Sequence, residues 1–302
     1  MNLPDPAAAA LQFQVPFYGD PALLRETVAS VLAQTDPRWR MTIVEDGPRD
    51  DSVRNWLGGL DEPRIRYESN SKTLGVAGNF QRCLDLADSD YVVFLGCDDR
   101  LHPSYVSHVL AAIAEHPDVA IVQPGVRVID GDGTAVRPLG DRLKARLNPA
   151  HAGPAVVEGE PLMTSLMRGN WTYFPSLVWR RERIATIGFR QDLQIALDLV
   201  ALVTLVLNGE RLLVTNHVVF EYRRHRASAS SISAANADRF LEERRVYKEF
   251  EQRARSRHWL RAARAARLRL TSRLHALALV PRSIRCRAWT KSKAYLRHAL
   301  FS

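Results

Sequence analysis

Tyr91-Val-Val-Phe-Leu-Gly-Cys-Asp-Asp99 is a short apolar run that stops on two adjacent carboxylates. It is too short for a stable helix and reads as a buried strand, delivering Asp98 and Asp99 to the carboxyl edge of a sheet, where open α/β folds bind ligands. Neighbouring acids repel and sit more comfortably beside a cation. Hard oxygen ligands suit Mg²⁺ or Mn²⁺, and such an ion points to a phosphate or diphosphate. Taken alone, the pair fits equally a solvated turn ahead of a helix marked by Pro103. A second short strand, Met41 to Val44, also ends on acids, Glu45-Asp46, before the turn formers Gly47-Pro48. A further carboxylate, Asp198, interrupts an apolar helical run that closes on Asn208-Gly209. An acid there must find a partner, face solvent or carry a raised pKa. The plain alternative is a place on the polar face of an amphipathic helix.

The elements that position these acids are legible around them. Leu11 to Phe17 is an apolar-rich run broken by Pro16 and followed by Tyr18-Gly19-Asp20-Pro21. Leu23, Leu24, Val28, Val31 and Leu32 then recur at helical spacing, so a strand feeds a helix. The first strand, Met41 to Val44 and Tyr91 onward form one parallel sheet, and two of its strands end in carboxylates at the same edge. His217 to Tyr222 is another short strand, opening into the basic segment Tyr222-Arg-Arg-His-Arg-Ala-Ser-Ala-Ser230.

Five segments, taken in order, carry a resemblance: Pro16-Phe17-Tyr18, Thr27 to Thr35, Val44-Glu-Asp-Gly47, Leu74-Gly-Val-Ala-Gly-Asn79 and Tyr91 to Asp99. Together they resemble the ordered motifs of the family 2 inverting glycosyltransferases, in register from about residue 12 to about residue 232. The resemblance implies a GT-A fold, Rossmann-like and α/β, with a mostly parallel sheet flanked by helices. It also implies transfer of a sugar from a nucleotide-diphosphate donor with a divalent metal, Mg or Mn. The nucleotide-binding half is expected at about 1–125, the acceptor half at about 126–235, and a basic helical C-terminal extension at 236–302.

By the same resemblance Asp46 contacts the base, and Pro16, Phe17 and Tyr18 line the nucleotide pocket through backbone and ring contacts. Asp98 faces the donor sugar or ribose, Asp99 binds the metal, and Gly96 stands where a further Asp is common in the family. Asn79 matches a donor-side motif, although such a residue equally caps or packs locally. Inverting transfer needs a base for the acceptor hydroxyl, and the resemblance assigns it to Asp198. Asp192, six positions earlier, reads as an N-terminal cap or acceptor contact. The segment after Tyr222 is similar to one that closes over the diphosphate: its Arg forks suit phosphate oxygens, and His225 completes a metal shell. Trp171 to Ser176 lies where the family contacts the acceptor, though most aromatics in such runs are core.

The chain has 302 residues, enough for one large domain and an appendage, and its odd number of cysteines, Cys83, Cys97 and Cys286, lacks CxxC spacing. Neither a disulfide framework nor a zinc site is indicated. With no basic leader and no span-length apolar run, the expected place is the cytoplasm. Charge divides unevenly: residues 251–302 hold 14 Lys plus Arg against Glu251 alone, which leaves −4 for the first 250 residues of a chain at +9. From Asp238 the composition is that of long helices, broken by Pro281. Basic residues interleaved with Trp259, Trp289, Tyr295 and Leu suit an anionic membrane surface, and equally a helix packed on the catalytic domain. The expected activity is sugar transfer to a hydroxyl of a glycan or lipid-linked acceptor, in envelope polysaccharide synthesis at the inner face of the cell membrane. A sugar nucleotidyltransferase would call for a Gly-rich, Lys- and Arg-bearing loop where Tyr18-Gly-Asp-Pro21 stands. A non-catalytic membrane-surface or nucleic-acid binder is the remaining alternative.

Overall fold

A computed structural model describes residues 10–47, 51–150, 153–224 and 238–300. The first half alternates strand and helix: β1 (Leu11–Phe17), α1 (Pro21–Leu32), β2 (Trp39–Glu45), α2 (Ser52–Gly58), β3 (Ile65–Ser69), α3 (Gly75–Asp85), β4 (Tyr91–Phe94), β5 (Arg100–Leu101) and α4 (Tyr105–Glu115). The second half runs β6 (Ile121–Ile129), α5 (Leu139–Leu147), β7 (Ala155–Val157), α6 (Gly159–Arg168), β8 (Val178–Arg180), α7 (Arg181–Ala185), α8 (Leu197–Leu207) and β9 (Leu212–Arg223). Four helices follow: α9 (Asp238–Ser256), α10 (Leu260–Leu268), α11 (Leu270–Arg285) and α12 (Trp289–Leu300).

All strands join one nine-stranded sheet, ordered β3-β2-β1-β4-β8-β6-β9-β5, with β7 paired to β9. β1 to β4 are mutually parallel, as expected, and β8 runs antiparallel between β4 and β6. Strand polarity therefore brings the ends of β1, β2 and β4 to one edge. Asp20 starts α1 there by accepting from the Ala22 N–H at 2.8 Å, with Pro21 at the first helical position, where no donor is lost.

The expected short strand at 217–222 is the end of a longer one. β9 bulges against β6 near Gly125, where a Cβ would lie 2.7 Å from the Asn216 and His217 carbonyl oxygens, so only glycine admits that approach. Past the bulge β9 pairs with both β6 and β5, which carries Arg223 to the Asp98-Asp99 turn.

The hydrophobic core lies on both faces of the sheet. One layer packs α1 and α4 through Val28, Val31, Val106 and Val109; the other holds α6, α8, α9 and α10. α8 is apolar all round and buried between neighbours, so Asp198 does not sit on the polar face of an amphipathic helix. The core runs past residue 235: Val246, Tyr247, Phe250 and Ala254 of α9 belong to it, and α10 presses Ala262, Ala263, Ala265 and Ala266 onto it. Small side chains permit that close approach.

Pro281 does not break the C-terminal helices as expected; it lies inside α11. The chain turns instead at His258, Arg269 and Arg287, each with φ between 46° and 59°, a left-handed conformation that ends a helix whatever follows. Two of the aromatics expected at a lipid surface face inward. Tyr295 is buried with Phe240, Ala276 and Ala299, and Trp259 packs against the main core.

α9, α11 and α12 are also tied by polar contacts. The Ser272 hydroxyl donates to the Glu243 carboxylate and lies 2.8 Å from His298 Nε2. Burial pulls the His298 imidazole down to about 4, so it is neutral in the fold, whereas the unfolded ring protonates near its ordinary 6.5. As pH falls from 6.5 toward 4 only the unfolded chain takes the proton, and this packing weakens over that window. Amide exchange in α12, corrected for the intrinsic rate, is expected to be faster at pH 5 than at pH 7. An unchanged protection factor would contradict this.

Candidate functional site

The β4 strand ends at Phe94, and Asp98 and Asp99 occupy the turn between it and β5. Asp99 is 1% exposed. Its Oδ1 accepts the Arg223 N–H at 2.8 Å, whereas Oδ2 is buried without a hydrogen-bond partner among the described residues. Burial, reinforced by the neighbouring Asp98 charge, holds its carboxyl well above the usual carboxylate range. A Cβ at position 96 would lie 2.4 Å from that oxygen, so the Asp99 carboxylate fills the space that a side chain there would need. Gly96 and Asp99 are one steric unit.

Arg223 holds this turn in place. It is 2% exposed, donates from Nε to the Asp98 carbonyl and from Nη1 to the Gly131 carbonyl, both at 2.7 Å, and pairs with Glu26. Its guanidinium, expected on the diphosphate, is spent inside the protein, because a buried cation must have all its donors answered. Arg224 is likewise paired, with Asp141 at 2.8 Å. His225 and Arg226 lie outside the described residues.

At the end of β2, Asp46 accepts from the Leu74 and Gly75 N–H groups at 2.7 and 2.9 Å and from Asn70 at 3.2 Å. The first two are amides that the start of α3 leaves unpaired. Asn79, expected to contact the donor, spends its amide within the protein. It receives Asn70 at 2.9 Å and donates to the Val44 carbonyl at 3.0 Å, as a 4% exposed amide must. At the end of β1, Pro16 is half-buried and the Phe17 ring is in the core, while the Phe17 carbonyl accepts the Asp46 N–H at 2.9 Å. Tyr18 is 66% exposed, so of the two rings only this one is open to solvent.

On the other side, Asp198 lies in the first turn of α8, half-buried, with Oδ2 receiving Asn170 Nδ2 and Oδ1 the Leu199 N–H, both at 2.7 Å. Burial raises its pKa, opposed by the Leu199 N–H and by the Lys144 ammonium. Lys144 donates to the Thr172 carbonyl at 2.7 Å and lies 4.4 Å from the Tyr173 ring centroid; burial lowers it to about 8. Tyr173 donates to Asp141 at 2.9 Å, and Thr172 to Asn170 at 2.7 Å. Polar contacts thus run from Asp99 through Arg223 and Arg224, Asp141 and Tyr173, and Lys144, Thr172 and Asn170 to Asp198. Asp192 is neither cap nor part of this line: it precedes α8 and pairs with Arg190 and Arg245. Glu242 of α9 performs the capping, accepting from the Gln194, Ile195 and Ala196 N–H groups at 2.7–2.8 Å. Trp171 and Phe174 of the expected acceptor segment are core, leaving Tyr173 at the site.

Asn170, Lys144, Asp141 and Glu242 carry no local sequence signal for these roles, since each acts on a partner at least 28 residues away. Asp99 and Asp98 fit a hard cation, one oxygen being buried without a partner beside a second carboxylate. The described residues contain no group of three or more His, Cys, Asp or Glu able to hold a metal.

The model of glycosyl transferase family 2 matches residues 13–169, just over half of the chain. An uncharacterized protein of Mycobacterium tuberculosis is 26% identical over 75% of this chain and 70% of its own length. Hyaluronan synthase of Pasteurella multocida is 27% identical over 40% of this chain, which spans 13% of that protein. Residues 1–349 of S. aureus TarS, crystallised with UDP-GlcNAc, superpose with a TM-score of 0.70 at 16% identity, covering 96% of this chain and 81% of that one.

Proposed function

Since this chain belongs to glycosyl transferase family 2, we propose that it moves a sugar, with inversion, from a nucleotide-diphosphate donor to a hydroxyl of a glycan or lipid-linked acceptor. The observation that carries the reading is the pair of carboxylates, Asp99 buried and Asp198 half-buried, at the two ends of one polar line. Asp99 has an oxygen buried without a hydrogen-bond partner among the described residues, and Asp198 has a raised pKa suited to a base. Asp99, with Asp98 beside it, would hold Mg²⁺ or Mn²⁺, which supplies charge to steady the departing diphosphate. Asp46 shapes the nucleotide crevice by fixing the start of α3, and Asn79 ties that helix to the end of β2, while Pro16 and Tyr18 border it. His225 remains a proposed further ligand. A UDP donor is supported by the likeness to TarS, and polysaccharide synthesis by the likeness to hyaluronan synthase. Thermal unfolding with a panel of nucleotide sugars tests the donor: the correct one raises the midpoint, more with Mn²⁺ than with chelator, because it binds only the folded state. A flat panel contradicts the reading.

Among the described residues no helix is long and apolar enough to cross a membrane. The reading includes peripheral contact through α10–α12, where Leu260, Leu270, Leu274, Ile284, Trp289 and Leu300 stay exposed among the Arg residues. The full chain is expected to float with anionic but not neutral vesicles, less so at high salt. Equal recovery with both lipids would remove membrane contact from the proposal.

A further inference from the structure

A groove of about 870 Å³ lies between α5 and the paired strands β6 and β9, and its lining is strongly basic. Arg137, Arg142 and Arg146 line it with Lys144, and none of the three arginines forms an ion pair among the described residues. The other charges there are already answered. Arg127 pairs with Glu221, and Asp141, the one acid of the lining, is taken up by Arg224. Arg142 and Arg146 stand four positions apart, on the same side of α5, where like charges repel and disfavour the helix. A short helix carrying that repulsion beside a third unpaired guanidinium is suited to an anion that spans them. Lys144, Trp171 and Tyr173 also line the groove, and internal hydrogen bonds through Thr172 and Asn170 tie Lys144 to Asp198, which is not itself part of the lining.

We propose that this groove holds part of the acceptor and that the acceptor is an anionic glycan, whose negative groups rest on Arg137, Arg142 and Arg146 beyond the sugar that meets Asp198. The inference rests on the reading of Asp198 as the base, and it narrows the acceptor from any hydroxyl-bearing glycan to one carrying phosphodiester or carboxylate groups. Guanidinium forks accept either group, so the chemistry is shared and the source is left to the experiment.

The test is binding of the full chain to three soluble oligomers of similar length: glycerol phosphate, galacturonate and neutral maltooligosaccharide. One anionic oligomer is expected to bind, more weakly as salt rises, and the tighter of the two identifies the source. Arg142→Gln/Arg146→Gln is expected to weaken that binding tenfold or more and leave the thermal response to the nucleotide sugar unchanged. Arg282→Gln/Arg285→Gln, in the exposed C-terminal helices, is expected to leave it as it was, which separates the groove from general attraction by the basic tail. Equal binding of the neutral oligomer, or no loss in the α5 variant, overturns the proposal. If the anionic oligomer binds through α5 but no nucleotide sugar stabilises the protein, the groove stands and the donor reading fails.

Discussion

An Asp198→Asn variant is expected to lose about 10²-fold or more in kcat while its affinity for the donor stays close to that of the parent, because general-base catalysis commonly contributes 10²–10⁴. Asn keeps the volume and can still accept from one of the two donors, Asn170 or the Leu199 N–H, so the fold around α8 should survive. The pH profile separates a base from a merely structural carboxylate. Burial raises the Asp198 pKa, so the acid limb of kcat/KM should lie above the 3.8 of an ordinary aspartate, activity falling as pH drops through the raised value. Lys144 opposes that rise, and Lys144→Gln should move the limb to higher pH. An Asn variant with most of its kcat, or a limb indifferent to Lys144, would remove Asp198 from the chemistry.

Asp99→Asn should be equally damaging for a different reason. It takes a full charge from the place where a cation is needed, and loss of such electrostatic support typically costs about 10²–10³ in rate. Stability should move the opposite way. The folded pKa of Asp99 lies above the unfolded one, so the group favours folding at low pH and loses that contribution as pH rises through the folded value. Once ionised, that carboxylate is a buried charge held by one N–H, with its second oxygen unanswered among the described residues. The amide is therefore expected to unfold at the same or a higher temperature than the parent in chelator, and to have lost the extra stabilisation that Mn²⁺ gives with the donor. A variant that is both inactive and markedly less stable in chelator would make Asp99 a structural residue, and near-parental activity without divalent metal would end its assignment as a ligand.

The resemblance in the five motifs and the match of the family model to residues 13–169 agree, and both rest on short-range features. β1, β2 and β4 are runs whose burial follows from their own composition, and parallel pairing carries their acidic ends to one edge without further information. That much was determined locally: the α/β class, the order of strand and helix, and the place of Asp46, Asp98 and Asp99.

Tertiary structure decided what each side chain does there. Arg223, Phe17 and Asn79 looked free to meet a ligand, yet each is buried, and a buried polar group must spend its hydrogen bonds on whatever the fold brings beside it. Asp192 looked like a cap for α8, but Glu242 takes that role from a helix that begins 41 residues later, so the C-terminal basic region holds the turn that carries Asp198. Charge and composition left that region equally suited to a lipid surface and to packing on the domain; the alanine face of α10 and the burial of Tyr295 come from packing that composition cannot reveal. The line from Asp99 to Asp198 joins residues of β9, α5 and α8 with the Asp98-Asp99 turn and the 170–173 segment, and contacts at such separation exist only once β9 has joined the sheet and the bulge at Gly125 has turned its end toward the site. Strand and helix periodicity are set by neighbours along the chain, whereas partners are set by distance in space, and only the folded chain supplies that.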